Sequence, residues 1–544
     1  MHSGKLEPSS PSELRPYAVA SALILTAGAV ALQLRFFQHA GPLWRDEANS
    51  ANLAALGSWE EILRNAHYDS FPLLWNLCLW VLAQAGWTAD SQLRTFGLVA
   101  AWVQLGAFWW AARMVGLVAP TMALALYACS APTVVHGTMF RGYGLGAAAF
   151  VLATGMLVRF VQLPSTGRAV FLTVANIAAV QSNFANGVLL AATHVAAALV
   201  VWRDPRKQAR IWVLLAGALV LAAASLGFCW AWIRYAFAVG SAEQRPVQLG
   251  SVAAVWWQSL GAQSVPTLLA LWIAAMTATA ASLWRYARGS RTLSPRSVLV
   301  LGAPIAVGAF LVYFWQVARL PSQEWHYLSL NALLALAGDV ACRDWLRRHG
   351  QSVKTVALTA VTALGLFSIW QSWPLVAVRM SNVDLVASVL REQARASDLV
   401  VVAPWYCGVS FQRYYRAAAP WITLPNLPDH RFHYHLHIRR KMTRGDEGIA
   451  DERRRIVGTL QAGGRVWLVG DLSAPPPGKP APSIPPGPHP VTQWRAGPYL
   501  EAWEMQIAAL LRDHAIEIWG IELPHTVRIN PWEHLRLTLI QGWR

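Results

Sequence analysis

The chain is poor in charge. Only 13% of its 544 residues are Asp, Glu, Lys or Arg, about half the share usual in a soluble domain. Acidic residues are the scarcer kind, 28 against 45 Lys and Arg. Cysteine is scarce as well. Cys78, Cys129, Cys229 and Cys342 sit singly in apolar runs and Cys407 is alone in the tail, with no Cys-x-x-Cys pair. That scatter implies neither a zinc site nor a disulfide framework. The C-terminal third has no Gly-x-Gly-x-x-Gly and no phosphate-loop lysine motif, so it does not announce a nucleotide site. A formal net charge of +17 raises the question of nucleic acid, but no RNA- or DNA-binding motif accompanies it.

What the chain has is apolar length. Hydrophobic residues make up 55% of it, with 29 Trp, and the mean hydropathy is +0.34. This describes a polytopic α-helical membrane protein. The Trp residues suit half-wet positions at the membrane edge and around cavities. The N-terminal "MHSGKLEPSSPSELRPY" is polar and leads into a long apolar run without a small-residue cleavage site, so a retained first span is expected rather than a signal peptide.

About eleven spans are expected from apolar length, near 17–38, 95–112, 117–136, 144–161, 168–182, 185–202, 211–238, 262–284, 298–316, 325–342 and 355–374. Residues 71–86 are apolar but short, and read as an interfacial or re-entrant helix. With the N-terminus (1–16) inside, Arg113, Arg159 with Arg168, "WRDPRKQAR", "WRYARGSRTLSPR" and "CRDWLRRHGQSVK" all face the cytoplasm. Counting 71–86 as a span would destroy that agreement. The division expected is a membrane module over 17–376, with a first outer loop at 39–94, and an extracytoplasmic α/β domain over 377–544. In that domain "VDLVASVLREQARASDLVVVAPWYCGVSFQRYY" reads as helix, strand, turn, helix, and "GGRVWLVGD" and "HAIEIWGIEL" read as buried strands. A parallel or mixed sheet follows. The Pro-rich loop at 474–490 is expected to be extended or disordered.

The polar residues that stand out lie at one membrane face. Asp46 and Glu47 follow directly on the first span, where an uncompensated carboxylate is costly. A carboxylate there can cap the next helix, which explains one of the pair more readily than both. "HGTMFRGYGLG" brings His136, Arg141 and Tyr143 to a short outer loop. Arg141 can snorkel to bulk lipid, or hold one phosphate through its planar fork with His136 and Tyr143 as further donors. "NAHYDSFPLLWN" supplies His67 and Asp69 ahead of Pro72, and "QEWHYL" supplies Glu324, His326 and Tyr327. Asn183, in a run of amides from Gln181 to Asn186, can glue helices or bind sugar hydroxyls. Together these suit a reaction on a lipid-linked phosphate: a carboxylate takes a proton from an acceptor hydroxyl, and cationic groups stabilise the departing phosphate.

The order of these motifs resembles the GT-C membrane glycosyltransferases, in the bacterial branch related to protein O-mannosyltransferases and the lipid A aminoarabinose transferase. "DEANSANLA", "HYDSFPLLWN", "LRTFGL", "HGTMFRGYGLG" and "EWHYLSL" carry the likeness, over about residues 17–375. The resemblance implies a catalytic Asp in the first outer loop, carried onto Asp46, with Glu47 as its acidic neighbour and a donor-phosphate role for Arg141. Ser70-Phe71-Pro72 stands where the family has Pro-Pro, His136 where an amide or acid is common, and His326 where Arg is usual. The second outer loop lacks the Asp that many relatives place near a metal or acceptor.

The expectation is therefore a glycosyltransferase of the bacterial inner membrane. It moves a hexose or pentose from a polyprenyl-phosphate donor to a glycan, lipid or protein acceptor on the outer face. No cofactor is expected to be required, and a divalent metal has no support in the motifs. Two other readings stand beside it. One is a transporter or flippase of lipid-linked sugars, which calls for charged residues at mid-span and inverted repeats; the polar clusters sit at span ends instead. The other is a scaffold whose tail binds a partner. "HRFHYHLHIRRK" feeds that reading, because His430, His433, His435 and His437 at close spacing can make a metal edge on a strand.

Overall fold

The computed structural model describes residues 15–203, 209–243, 247–288, 293–476, 478–524 and 527–544. The polar N-terminal stretch up to residue 14, the centres of two basic loops (204–208 and 289–292) and part of the 239–260 loop lie outside the described residues. The first helix, α1 (Arg15–His39), carries no acid in its first turn. At 1.5 Å per residue it is roughly 37 Å long, enough to cross a bilayer. Then come α2 (Arg45–Ala54), α3 (Trp59–Asn65) and α4 (Leu73–Gln84). Ser58 caps α3, accepting from Glu61 N at 3.2 Å, and Pro72 sets the start of α4. With 12 residues, α4 spans only about 18 Å, too short for a hydrocarbon core of roughly 30 Å. Helix α5 (Asp90–Met114) returns across.

The expected span at 117–136 is broken. It consists of α6 (Thr121–Ala123), a widened turn at Leu124–Ala128 and α7 (Ala131–Thr138). Pro132, in the first turn of α7, has no N–H to carry the ladder on from the preceding turn, and the Cys129 carbonyl at the break accepts from Ser372 Oγ at 2.8 Å. Then follow α8 (Tyr143–Gln162) and further helices at Thr166–Ser182, Asn186–Trp202, Ala209–Gly240, Pro266–Arg288, Ser297–Ala318, Leu328–Leu346 and Gln351–Leu375. By length and composition, seven described helices can cross a membrane: α1, α5, α8, Ala209–Gly240, Pro266–Arg288, Ser297–Ala318 and Gln351–Leu375. The other four expected spans differ for local reasons. One is the broken segment, two have 17 residues each, and Leu328–Leu346 contains Asp339, Arg343 and Asp344.

The basic loops gather at one end. Arg296 donates to the Gly116 carbonyl at 3.1 Å and Arg203 to that of Tyr286 at 3.3 Å. Asp46 is at the other end, just beyond the C-terminus of α1.

The tail holds a five-stranded mixed sheet. Its strands are β2 (Leu399–Ala403), β3 (Trp421–Thr423), β4 (Arg465–Gly470), β5 (Ala515–Ile521) and β7 (Leu537–Trp543), in the order β3-β2-β4-β7-β5. β2 runs parallel to β3 and β4, and β7 antiparallel to β4 and β5. β1 (Val378–Arg379) and β6 (Arg528–Ile529) pair separately. All five residues of β2 are buried, the pattern of a strand covered on both faces. One expectation needs correcting. "HRFHYHLHIRRK" is not a strand: it is irregular up to a 3-10 turn at His435–His437 and a helix at Ile438–Met442, so its histidines do not form a strand edge. The Pro-rich loop is extended, one of the two forms expected of it, with Ile484 N bonded to Asp446 Oδ1 at 2.7 Å and Tyr499 OH to the Pro485 carbonyl at 3.1 Å.

The apolar core does not respect the boundary at 376/377. One cluster fills the helical bundle. A second runs without interruption from Leu43, Trp44 and Phe71 into Leu399, Ile422 and Tyr434 of the tail. The tail therefore packs against the segment between α1 and α5 as part of one body.

Candidate active site

Helix α2 begins at the edge of α1, and its first turn carries both carboxylates. A helix N-terminus favours negative charge, but the two residues meet different surroundings. Glu47 is wholly buried. Its oxygens accept from Arg94 Nη1 and Nη2 at 3.1 and 3.0 Å, from Phe140 N at 2.7 Å and from Trp44 N at 3.3 Å. The bond to Trp44 N closes the helix start, so Glu47 is the capping carboxylate of the pair. Arg94, from "LRTFGL", also holds the Gly41 and Pro42 carbonyls at 2.9 and 2.6 Å. This ion pair locks the end of α1 to α5 and has no free acceptor for a substrate, which argues against a chemical role for Glu47.

Asp46 is about a quarter exposed. Arg45 Nε and the His433 ring nitrogen Nε2 each stand 3.7 Å from Oδ1, and neither oxygen accepts a hydrogen bond among the described residues. Burial works to raise the Asp46 pKa, but the charges of Arg141 and Arg45 outweigh it and hold the carboxyl below its ordinary range. His433 adds no charge near neutral pH. Burial pushes His433 down to about 3, so its imidazole is neutral there.

Arg141 lies between α7 and α8. Its Nη1 donates to the Asp46 carbonyl at 2.8 Å, to Ser50 Oγ at 2.7 Å and to Asp69 Oδ1 at 2.7 Å. Burial disfavours the charge, yet Asp69 and Asp46 raise the Arg141 pKa above its ordinary value. Its Nε is buried without a partner. Asp69 is fully engaged, by Arg141, by Ser50 Oγ at 2.6 Å, by Trp75 Nε1 at 3.2 Å and by Ser70 N at 2.8 Å. It orients Arg141 and leaves no acceptor over. Small residues let this loop close. A Cβ on Gly144 would come within 2.2 Å of the Gly137 carbonyl, and one on Gly97 within 2.3 Å of that of Thr138.

Three further expected residues border the same place. His136 Nε2 is 3.6 Å from Glu324, and its Nδ1 is buried without a partner. The rings of Tyr143 and His326 stand 6.1 Å apart, and Trp325 links Tyr143 to His136 and to Trp44. Three others do not join. Tyr327 is turned away, with its hydroxyl bonded to the Val252 carbonyl at 3.1 Å and to Ser322 Oγ at 2.8 Å. His67 packs in an aromatic group, 4.0 Å from Tyr68 and 4.6 Å from Tyr235. Asn183 caps its own turn, accepting from Ala185 N at 3.1 Å.

Sequence reasoning missed four residues that build the site. Ser50 bridges Arg141 and Asp69, and Arg94 secures Glu47. His433 arrives from the tail, where its backbone N is held by Asn49 Oδ1 at 3.1 Å. Glu533 accepts from Arg45 N at 2.7 Å and from Ser381 Oγ at 2.7 Å. Spacing along the chain carries no signal for the last two, because they come to Asp46 only through docking of the tail. Among the described residues no three His, Cys, Asp or Glu side chains gather as a metal site.

No family model matches the chain, and no curated protein matches it significantly in sequence. Solved structures do match in shape. The apo structure of ArnT from Cupriavidus metallidurans is similar at a TM-score of 0.50 and 14% identity, over 83% of this chain and 93% of that one. The chain has the GT-C fold. An ArnT structure bound to undecaprenyl phosphate gives a TM-score of 0.49 at the same identity and coverage. The Archaeoglobus fulgidus oligosaccharyltransferase tethered with an acceptor peptide gives 0.49 at 13% identity, over 96% of this chain and 74% of that one. Within this GT-C chain, Asp46 and Arg141 occupy one end of the bundle under the tail.

Proposed function

We propose that this chain is a membrane glycosyltransferase that moves one sugar from a polyprenyl-phosphate donor to an acceptor hydroxyl on a glycan, lipid or protein. The observation that carries the reading is the pairing of Asp46, a carboxylate that accepts no hydrogen bond among the described residues, with buried nitrogens unpartnered among those residues at Arg141 Nε and His136 Nδ1. The GT-C fold supports the reaction class. In the scheme, Asp46 takes the proton of the acceptor hydroxyl as its oxygen bonds to the anomeric carbon. The bond from that carbon to the phosphate oxygen breaks, and its electron pair stays on the lipid phosphate. Arg141 stabilises the charge that grows there, with His136 and His326 bordering the same space. Glu47 and Asp69 keep these groups in place. The scheme is written without a metal, and activity unchanged by chelator is its expected signature. We place the basic end in the cytoplasm and the Asp46 end, with the tail, outside a bacterial inner membrane.

The test uses purified full-length protein and a panel of undecaprenyl-phosphate monosaccharides with mixed acceptor extracts. Asp46→Asn is expected to keep the fold and lose transfer, by the ~10²–10⁴-fold that a general base contributes. Transfer at the wild-type rate in that variant sinks the assignment.

A further inference from the structure

A second candidate site lies at the opposite end of α1. There a cavity of about 540 Å³ opens between the starts of α1 and Gln351–Leu375, the turn before α6 and the end of Leu328–Leu346. Its size falls within the roughly 300–1,000 Å³ of ligand pockets. Four cations line it, Arg15, Arg343, Arg347 and Lys354, against one acid, Asp339. That acid is committed, since it accepts from Ala123 N at 3.0 Å and is buried. Arg347 meets Asp344 at 3.5 Å. Arg15, Arg343 and Lys354 have no carboxylate within ion-pair distance among the described residues. The rest of the wall is largely apolar, including Val118, Leu358 and Val361.

Unbalanced cations beside apolar walls call for an anion with a hydrocarbon portion. We infer that this cavity binds an anionic phospholipid, with its phosphate among Arg15, Arg343 and Lys354 and an acyl chain along Val118, Leu358 and Val361. Three features favour this over cations that merely snorkel to bulk lipid. The cations come from three different helices and converge on one walled volume. Lys354 lies in the first turn of the 25-residue helix Gln351–Leu375, whose N-terminus adds favourable field for a phosphate. The basic loops gather at this same end, where basic pockets between helices hold anionic headgroups. A free phosphate would satisfy the charges but leave the apolar wall unused.

The test measures lipid retained by the purified full-length protein, by native mass spectrometry, after titration with phosphatidylglycerol or with phosphatidylcholine of the same chains. Glycerol phosphate is the headgroup-only arm. The wild type is expected to retain phosphatidylglycerol about tenfold better than phosphatidylcholine. The double variant R343Q/K354Q is expected to lose that preference, while Arg168→Gln, in a different basic loop, keeps it. Ala357→Phe, which fills the lined volume and leaves the cations intact, is expected to lower lipid retention and spare glycerol phosphate. Equal retention of the two lipids by the wild type, or an undiminished preference in R343Q/K354Q, overturns the inference. Glycerol phosphate bound as tightly as the lipid also overturns it, and marks a free-phosphate site. If R343Q/K354Q does not fold, Ala357→Phe decides alone: unchanged lipid retention rejects the site.

Discussion

A carboxylate that accepts four hydrogen bonds has little left to offer a substrate, and by that measure two adjacent residues part company. Glu47 is met by Arg94 twice and by two backbone N–H groups; Asp46 is met by none among the described residues. Removing the charge of a fully buried, paired carboxylate leaves its partner uncompensated, at about 3–5 kcal/mol. Glu47→Gln is therefore expected to lower the thermal midpoint sharply, whereas Asp46→Asn leaves it nearly unchanged and removes transfer. Thermal unfolding of both variants beside the wild type checks the contrast. The pH dependence separates them further. Because neighbouring cations hold the Asp46 carboxyl below its ordinary value of 3.8, it is ionised across neutral pH and loses its charge only as pH falls through that lowered value. The acid limb of kcat/KM is expected below about pH 4, so a limb centred between 5 and 7 belongs to another group.

At the scale of elements, the loop between α7 and α8 carries Arg141, and its closeness to α5 and to its own helices depends on missing side chains. The atom that a Cβ on Gly144 would strike is the Gly137 backbone oxygen, at 2.2 Å, which no rotamer change can move. Gly144→Ala is expected to destabilise by about 1–3 kcal/mol and to lower transfer through a displaced Arg141. A thermal melt with a donor titration checks this; a variant with wild-type stability and donor affinity contradicts the packing argument. The break between α6 and α7 is of the same kind. A span that runs on by hydropathy is interrupted ahead of Pro132, and the Cys129 carbonyl at the break accepts from Ser372, on a helix over two hundred residues away.

At the scale of the molecule, the tail closes over the segment between α1 and α5. Tyr414 OH accepts from Leu43 N at 2.7 Å, Arg413 pairs with Asp90 at 2.6 Å, and Glu533 holds Arg45 N beside the catalytic candidate. Burial pushes Glu533 up to about 7, against 4.5 for a free side chain, with Arg45 opposing. A pKa raised in the folded state means that the stabilisation is complete below about 4.5 and is lost as pH rises through about 7. The difference is worth roughly 3 kcal/mol. The docked tail is thus expected to be protected better from protease at pH 5 than at pH 8, and Glu533→Gln to remove that dependence. Equal pH dependence in the variant and the wild type assigns it to another group.

Much of this was legible in the chain itself. Apolar length and the one-sided basic loops marked a membrane bundle, because crossing hydrocarbon demands long uncharged helices whatever their neighbours do. The same logic read α4 as too short to cross. Apolar, β-branched runs marked β2, β4 and β5, although β5 is an edge strand with Ile516, Ile518 and Trp519 exposed rather than buried; the three-residue β3 and the late β7 escaped, since a strand's pairing is not local. The outer-face motifs pointed to Asp46, Arg141, His136, Tyr143 and His326, which the fold does bring together. Only the tertiary structure decided which carboxylate of "RDEANSANLA" is free, that Tyr327, His67 and Asn183 are occupied elsewhere, and that His433 and Glu533 reach the site from the tail. The reason is physical: composition and period fix what must leave water, but hydrogen-bond partners and local charge are set by residues hundreds of positions away, and only packing selects them.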